Sequence, residues 1–382
     1  MKKIYFIFFT FLILSNKVNA IETIAKQAIL YDMDTKSIIF KKNSDQLVSP
    51  SSMSKIMTIY YAFKKINEGE LSLDDEFTVS RKAWKKGGSK MFVKVNDKVK
   101  VEDLIRGIIV QSGNDACIVL AEGLSGSEEL FSEELTELGK EIGLKNSFFT
   151  NSTGWPDPQH LMTLDDLLTL SIKTIEDFPE LYHYYSEKEF TYSGIKQLNR
   201  NPLLFTELNS DGLKTGHTSL GGYGLVATVM KNKRRLILVL NGLNSSKNRA
   251  REAERLIKIG FNQYENLKIA DKNEKLKTLN VWGGDKKSVD IFSKEEISIT
   301  VPKRIKKNLS YSIKYQSPII PPINSEEPIG EFLIKKNKEI LKKFELYTNE
   351  NVGKINFFQK IIHNFKYLLF GESVINKKWK NL

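Results

Sequence analysis

Residues 50–58 read Pro50-Ser51-Ser52-Met53-Ser54-Lys55-Ile56-Met57-Thr58. Proline is well suited to open a helix, and Ser51 is of the residue type that caps a helix N-terminus. Ile56, Ile59, Tyr60 and Phe63 recur at helical spacing, so the pattern predicts a helix from about Ser52 to Glu68. Ser52 and Lys55, three residues apart, then share one face, and the lysine amine can reach the serine hydroxyl. A serine hydroxyl is a poor nucleophile until a base takes its proton. Lysine can be that base only when uncharged, a state that burial and a second nearby cation favour. By itself S-x-x-K is a common pattern, and the rest of the chain decides its meaning.

Upstream, Ala28 to Lys42 reads as two short strands around Asp34-Thr35, a β-hairpin. Downstream, Val101 to Ala121 is a buried helical stretch carrying Leu104, Ile108, Val119 and Leu120, broken at Gln111-Ser112-Gly113-Asn114. The break contains S-x-N, able to aim a hydroxyl and an amide into a cleft. From Gly212 to Gly242 the pattern turns to strands, with an apolar final run, RLILVLNGL, that suits a central strand buried on both faces. The first of these strands carries Lys214-Thr215-Gly216. Lys214 and Thr215 can bind a carboxylate, Lys214 supplies a second positive charge, and Gly216 lets a ligand backbone approach the strand edge. Arg249 to Tyr264 is helical again. Strands at both ends around a helical middle suggest one mixed domain whose sheet is closed by both ends of the segment.

S-x-x-K, S-x-N and K-T-G in this order are the signature of penicillin-binding proteins and class A β-lactamases. Together with IIVQSGNDACIVLAE, KEFTYSGIKQLNRNPLL, DGLKTGHTSLGGYGLVAT and REAERL, they make the chain resemble the D-alanyl-D-alanine carboxypeptidases of the low-molecular-mass penicillin-binding protein family. The resemblance implies an α+β fold: a transpeptidase-like catalytic domain over 21–265, with an antiparallel sheet and a helical region, then a small all-β domain over 266–349. It implies an acyl-enzyme on Ser52, Lys55 as general base and Ser112 as proton relay to the departing D-alanine. Asn114 would orient the substrate backbone, and Lys214, Thr215 and Gly216 would line the carboxylate site. The N–H groups of Ser52 and His217 would form the oxyanion hole, with Arg200 and either Arg249 or Arg251 (Arg251 by the motif's place) as basic residues near the substrate. No cofactor is implied. The partners implied are peptidoglycan stem peptides and β-lactam antibiotics. Rival readings are a D,D-endopeptidase, a β-lactamase, and a non-enzymatic wall-binding module. The loop GWPDPQHLM lacks the deacylating glutamate of a class A lactamase, and none of Ser52, Lys55 and Lys214 is missing, as a dead site would require.

Other features place the chain in the cell. Lys2 and Lys3, an apolar run from Ile4 to Leu14 and a small residue at Ala20 form a secretory signal over 1–20. Its removal takes three lysines and no acid, so the net charge of +12 becomes +9. A basic exported protein suits an anionic membrane surface, and no nucleic-acid motif is visible. Cys117 is the sole cysteine, read as core packing, and the four histidines lack zinc-ligand spacing. Over 350–382, Ile355, Phe357, Phe358, Ile361, Ile362, Phe365, Leu368 and Leu369 gather on one helical face, with Lys354, Lys360 and Lys366 on or near the other. Bulky apolar residues opposite lysines suit a helix lying in a membrane surface; the rival is a helix packed on the body. The expected location is periplasmic, at the outer face of the cytoplasmic membrane.

Overall fold

The computed structural model describes residues 21–356 together with Phe358 and Ile361. The expected signal peptide, and all of the expected C-terminal helix but its first residues and those two positions, lie outside the described residues.

The chain opens with the hairpin β1 (Gln27–Asp32) and β2 (Ser37–Lys42). A 3-10 turn, Ser51–Ser54, leads into α1 (Lys55–Asn67). The short strand β3 (Glu76–Thr78), helix α2 (Arg81–Lys85) and strand β4 (Lys98–Lys100) form a flap. Helices α3 (Val101–Ile109), α4 (Asn114–Ser125), α5 (Glu128–Glu141) and α6 (Leu164–Asp177) complete the helical region. A small hairpin, β5 (Glu189–Tyr192) and β6 (Ile195–Leu198), precedes the long antiparallel strands β7 (Ser210–Thr218), β8 (Gly222–Lys231) and β9 (Arg234–Leu243). Helix α7 (Ser246–Gln263) ends the domain.

The main sheet has the order β2-β1-β9-β8-β7, so the first hairpin and the last three strands close it together. The apolar run of β9 lies at its centre. Ile237 and Val239 enter the core shared with α1 and α6, while Leu236, Leu238 and Leu240 pack against Ala253, Leu256 and Ile257 of α7. A strand buried on both faces has no reason to alternate in polarity, which is why β9 reads as continuously apolar. At the far edge β7, the K-T-G strand, has one side unpaired by any strand.

A second, all-β unit starts at Tyr264 directly off α7. Strand β10 (Tyr264–Ala270) pairs with β13 (Ile297–Pro302). The other strands, β11 (Lys277–Asn280), β12 (Ser288–Phe292), β14 (Leu309–Tyr315), β15 (Gly330–Lys336) and β16 (Glu339–Thr348), form a sheet of order β11-β12-β16-β15-β14. Val289, Ile291, Phe332, Ile334, Phe344 and Leu346 belong to its separate core. Among the described residues no helix is long and apolar enough to cross a membrane.

Candidate active site

The Ser51–Ser54 turn is gripped from two sides. A Cβ on Gly216 would lie 2.9 Å from Pro50 O and 3.1 Å from Ser51 Cβ, and one on Gly154, whose φ is +73°, would lie 2.0 Å from Ser51 O. Glycine at 216 therefore makes room for the Ser51–Ser54 segment, a reason for the residue that the sequence did not offer. The expected Ser51 cap is also absent. Ser51 has a φ of +53°, and its hydroxyl donates to Thr218 Oγ1 at 3.2 Å, tying the turn to the end of β7. Strain of this kind, on the order of 1–3 kcal/mol, survives only where packing over-determines it.

Lys55 is fully buried, and its Nζ lies 2.8 Å from Ser52 Oγ, 2.8 Å from Asn114 Oδ1 and 2.6 Å from Thr153 O. Two of these three neighbours can only accept. An uncharged amine that donates to both turns its single lone pair on the serine hydroxyl. Burial is the main reason its pKa falls to about 8, and the positive charges of Arg200 and Lys86 lower it further. The sequence assigned that second charge to Lys214. Lys214 is itself buried and is pushed well below the usual lysine range by burial, then by Lys55 and Arg200. Cys117, buried in α4, is a neutral thiol that burial pushes up to about 12, as suits core packing.

The S-x-N break falls between α3 and α4. Ser112 is buried with a φ of +60°, and its hydroxyl has no hydrogen-bond partner. Asn114 spans the cleft wall: its Oδ1 accepts from Lys55 and its Nδ2 donates to Gly87 O at 2.8 Å. Asp115 accepts from the backbone N–H groups of Met91, Phe92 and Val93 and pins the segment beyond that wall. Thr215 is buried in β7, whereas His217 is exposed and stacks its ring on Tyr223 with centroids 3.9 Å apart.

The basic residues separate cleanly. Arg200 donates to Ser89 Oγ at 2.5 Å and is close enough to depress Lys55, Lys214 and Arg249. Arg249 is buried, held to about 10 mainly by burial, and its guanidinium lies 5.8 Å from the Tyr223 ring centroid. Arg251 is exposed and takes no part. The residues stand two apart on α7, about 200° around the helix, so only one can face the cleft. Arg249 is the one turned inward, within Coulombic reach of Lys214, so of the two residues the sequence left open the structure turns away Arg251.

Sequence reasoning missed Thr153, Gly154 and Gly87, which act through backbone groups or the lack of a side chain, and Lys86 and Trp155, which no motif contains. Among the described residues no cluster of three or more His, Cys, Asp or Glu side chains could hold a metal ion.

A hydroxyl, an amine able to go uncharged, a second free hydroxyl and a cationic strand edge define a serine acyl-transfer site with a lysine base. The chain belongs to the D-alanyl-D-alanine carboxypeptidase family, whose model matches residues 15–245. A model described as the C-terminal domain of penicillin-binding protein 5 matches 264–354. The D-alanyl-D-alanine carboxypeptidase DacD of Escherichia coli is 35% identical over 348 residues, covering 89% of each chain. Penicillin-binding protein 5 of Haemophilus influenzae superposes with a TM-score of 0.82 at 34% identity, over 88% of this chain and 100% of that one. Penicillin-binding protein D2 of Listeria monocytogenes, in an ampicillin-bound form, gives 0.58 at 26% identity over 63% of this chain and 98% of that one. The protein is a serine D-alanyl-D-alanine carboxypeptidase acting on peptidoglycan peptides.

Proposed function

We propose that Ser52 is the nucleophile, with the placement of the Lys55 amine 2.8 Å from its hydroxyl as the observation that carries the reading. The terminal carboxylate of a stem peptide docks on Lys214, Thr215 and Arg249, and the last amide carbonyl lies over Ser52. Lys55 takes the proton as Ser52 Oγ bonds to the carbonyl carbon. The N–H groups of Ser52 and His217 donate to the oxyanion, a contribution of about 3 kcal/mol per donor. The C–N bond breaks, D-alanine leaves with a proton passed through Ser112, and water hydrolyses the ester. Asn114 orients the peptide while it holds Lys55, and Arg200 lines the approach. A β-lactam offers a carboxylate beside a strained amide and follows the same path as far as the ester; the ampicillin-bound relative supports this. Incubation with penicillin followed by mass spectrometry of the intact protein should show one adduct on Ser52. It should be missing from Ser52→Ala, and an adduct elsewhere would refute the assignment.

Residues 1–20 act as an export signal, and the amphipathic tail holds the enzyme at the outer face of the cytoplasmic membrane, with the β domain as spacer. The supporting pattern is the apolar face of Ile355, Phe358 and Ile361 opposite lysines. Truncation after residue 350 should release an active enzyme from vesicles containing anionic lipid. Continued sedimentation with the vesicles would refute it.

A further inference from the structure

The two acceptors that hold the Lys55 amine are of different kinds. Asn114 offers a side chain, whereas Thr153 offers its backbone carbonyl, 2.6 Å from Lys55 Nζ. A carbonyl cannot be removed by substitution at its own residue. Its position is set by whatever holds the loop that carries it, so that loop governs how well the base is aimed.

The loop runs from Asn151 to Trp155 and is held from several sides. Within it, Asn151 Oδ1 accepts from the Thr153 N–H at 3.1 Å, from Thr153 Oγ1 at 2.8 Å and from the Trp155 N–H at 3.0 Å. Helix α1 reaches it a second time, where Thr58 Oγ1 donates to Ser152 O at 2.7 Å. A further anchor comes from outside and is charged. Glu128, the first residue of α5, is only 6% exposed, and its Oε1 accepts from Ser152 Oγ at 2.9 Å and from the Ser152 N–H at 3.3 Å. Its Oε2 lies 3.2 Å from the Nζ of Lys82 on α2.

Taking a carboxylate out of water is costly unless it is paired and hydrogen-bonded. Here the ion pair occupies one oxygen and leaves the other to Ser152, the residue directly before the one whose carbonyl meets Lys55. A hydrogen bond to an ionised group is roughly twice as strong as a neutral one, which suits a loop that must not drift.

We infer that Glu128 is a positioning residue for acyl transfer: by clamping Ser152 it fixes the Thr153 carbonyl on the Lys55 amine and so keeps the amine's lone pair turned to Ser52. It touches neither the substrate nor the reacting atoms. The inference rests on Lys55 as the base of Ser52 and adds what aims that base. Without the clamp the loop relaxes, the amine gains rotational freedom, and its lone pair meets the serine hydroxyl less often. Lys214, Thr215 and Arg249 stand on β7 and α7 and keep their places, so the defect falls on the chemical step and not on binding.

Rapid mixing with a fluorescent penicillin separates the acylation rate constant at saturation from the dissociation constant of the encounter complex. Glu128→Ala should lower the rate constant by about ten- to a hundredfold, the scale of a slightly misplaced catalytic group, and leave the dissociation constant within about twofold. Glu128→Gln keeps an oxygen that accepts from Ser152 and should recover most of that loss. Both constants are read from folded enzyme alone, so partial misfolding does not enter. Should Glu128→Ala fail to fold, Ser152→Ala removes the hydroxyl donor while Glu128 keeps Lys82. It should lower the rate constant by about two- to tenfold, the scale of one hydrogen bond. An unchanged rate constant in whichever of these variants folds, a Gln variant no faster than the Ala variant, or a fall matched by an equal weakening of binding would overturn the inference. Absence of any adduct on Ser52 in the wild-type protein would instead overturn the acyl-enzyme reading on which it rests.

Discussion

Two buried charged sites in this molecule follow opposite rules. Where the domains meet, Asp32 is fully buried, and its carboxylate accepts from Arg234 Nε at 2.6 Å, Asn266 Nδ2 at 3.1 Å and the Thr35 N–H at 3.2 Å. Strands β1, β9 and β10 are joined through it. In the cleft, Lys55, Lys214 and Arg249 are comparably buried, yet none has a carboxylate partner among the described residues, and Arg249 Nε has no hydrogen-bond partner at all. A charge paired inside the fold holds elements together. Unpaired cations instead hold their protons less tightly, as Lys55 does, or wait for a ligand to bring the missing charge.

The largest expected effect separates the two sites directly. Lys55→Gln should slow acylation by labelled penicillin by ~10²–10⁴-fold, the usual contribution of a positioned base, while shifting the unfolding midpoint less than a change at Asp32. In contrast, Asp32→Ala should cost about 3–5 kcal/mol in chemical denaturation because Arg234 is left unpaired. Its folded fraction should be acylated at the wild-type rate; a parallel fall in acylation would show that the junction and the cleft are one system.

A smaller contrast lies within the cleft. Arg249→Gln should raise KM for a D-alanyl-D-alanine peptide by about 10- to 100-fold, the range for a lost hydrogen bond between charged groups. Arg251→Gln should change it by about twofold at most, as an exposed residue would. The reverse order would return the position to Arg251.

The smallest effect concerns pH. Acylation needs the uncharged amine, so its rate should rise with pH through the Lys55 pKa of about 8 and then level off. Removing a nearby cation by Arg200→Gln lets Lys55 keep its proton more easily, so the midpoint should move to higher pH. A pH–rate profile of penicillin acylation reads both. A midpoint that moved down would mean that Arg200 is not among the charges acting on Lys55.

Much of this was legible before any coordinates. The hairpin at Ala28–Lys42, the broken helix around Ser112 and the buried central strand all carry local patterns of spacing or hydrophobicity. The catalytic types were readable as well, since Ser52 and Lys55 share one helical turn. What escaped reading was of another kind. Ser51 looks like a cap but bonds to Thr218, 167 residues away. Gly216 looks like an opening for a ligand, and only the fold shows that its missing side chain also makes room for Pro50. No local rule tells Arg249 from Arg251, because only the docking of α7 against the sheet shows which face is turned inward.

By itself, then, the sequence determined which groups exist and which lie a turn apart: the hydroxyl, the amine, the second hydroxyl and the cationic strand, in that order. Tertiary structure alone decided their state. Burial and the converging positive charges of Arg200 and Lys86 lower the Lys55 pKa to about 8, and those charges come from segments remote in the chain. Desolvation and Coulomb repulsion depend on distance through space, which residue spacing does not encode.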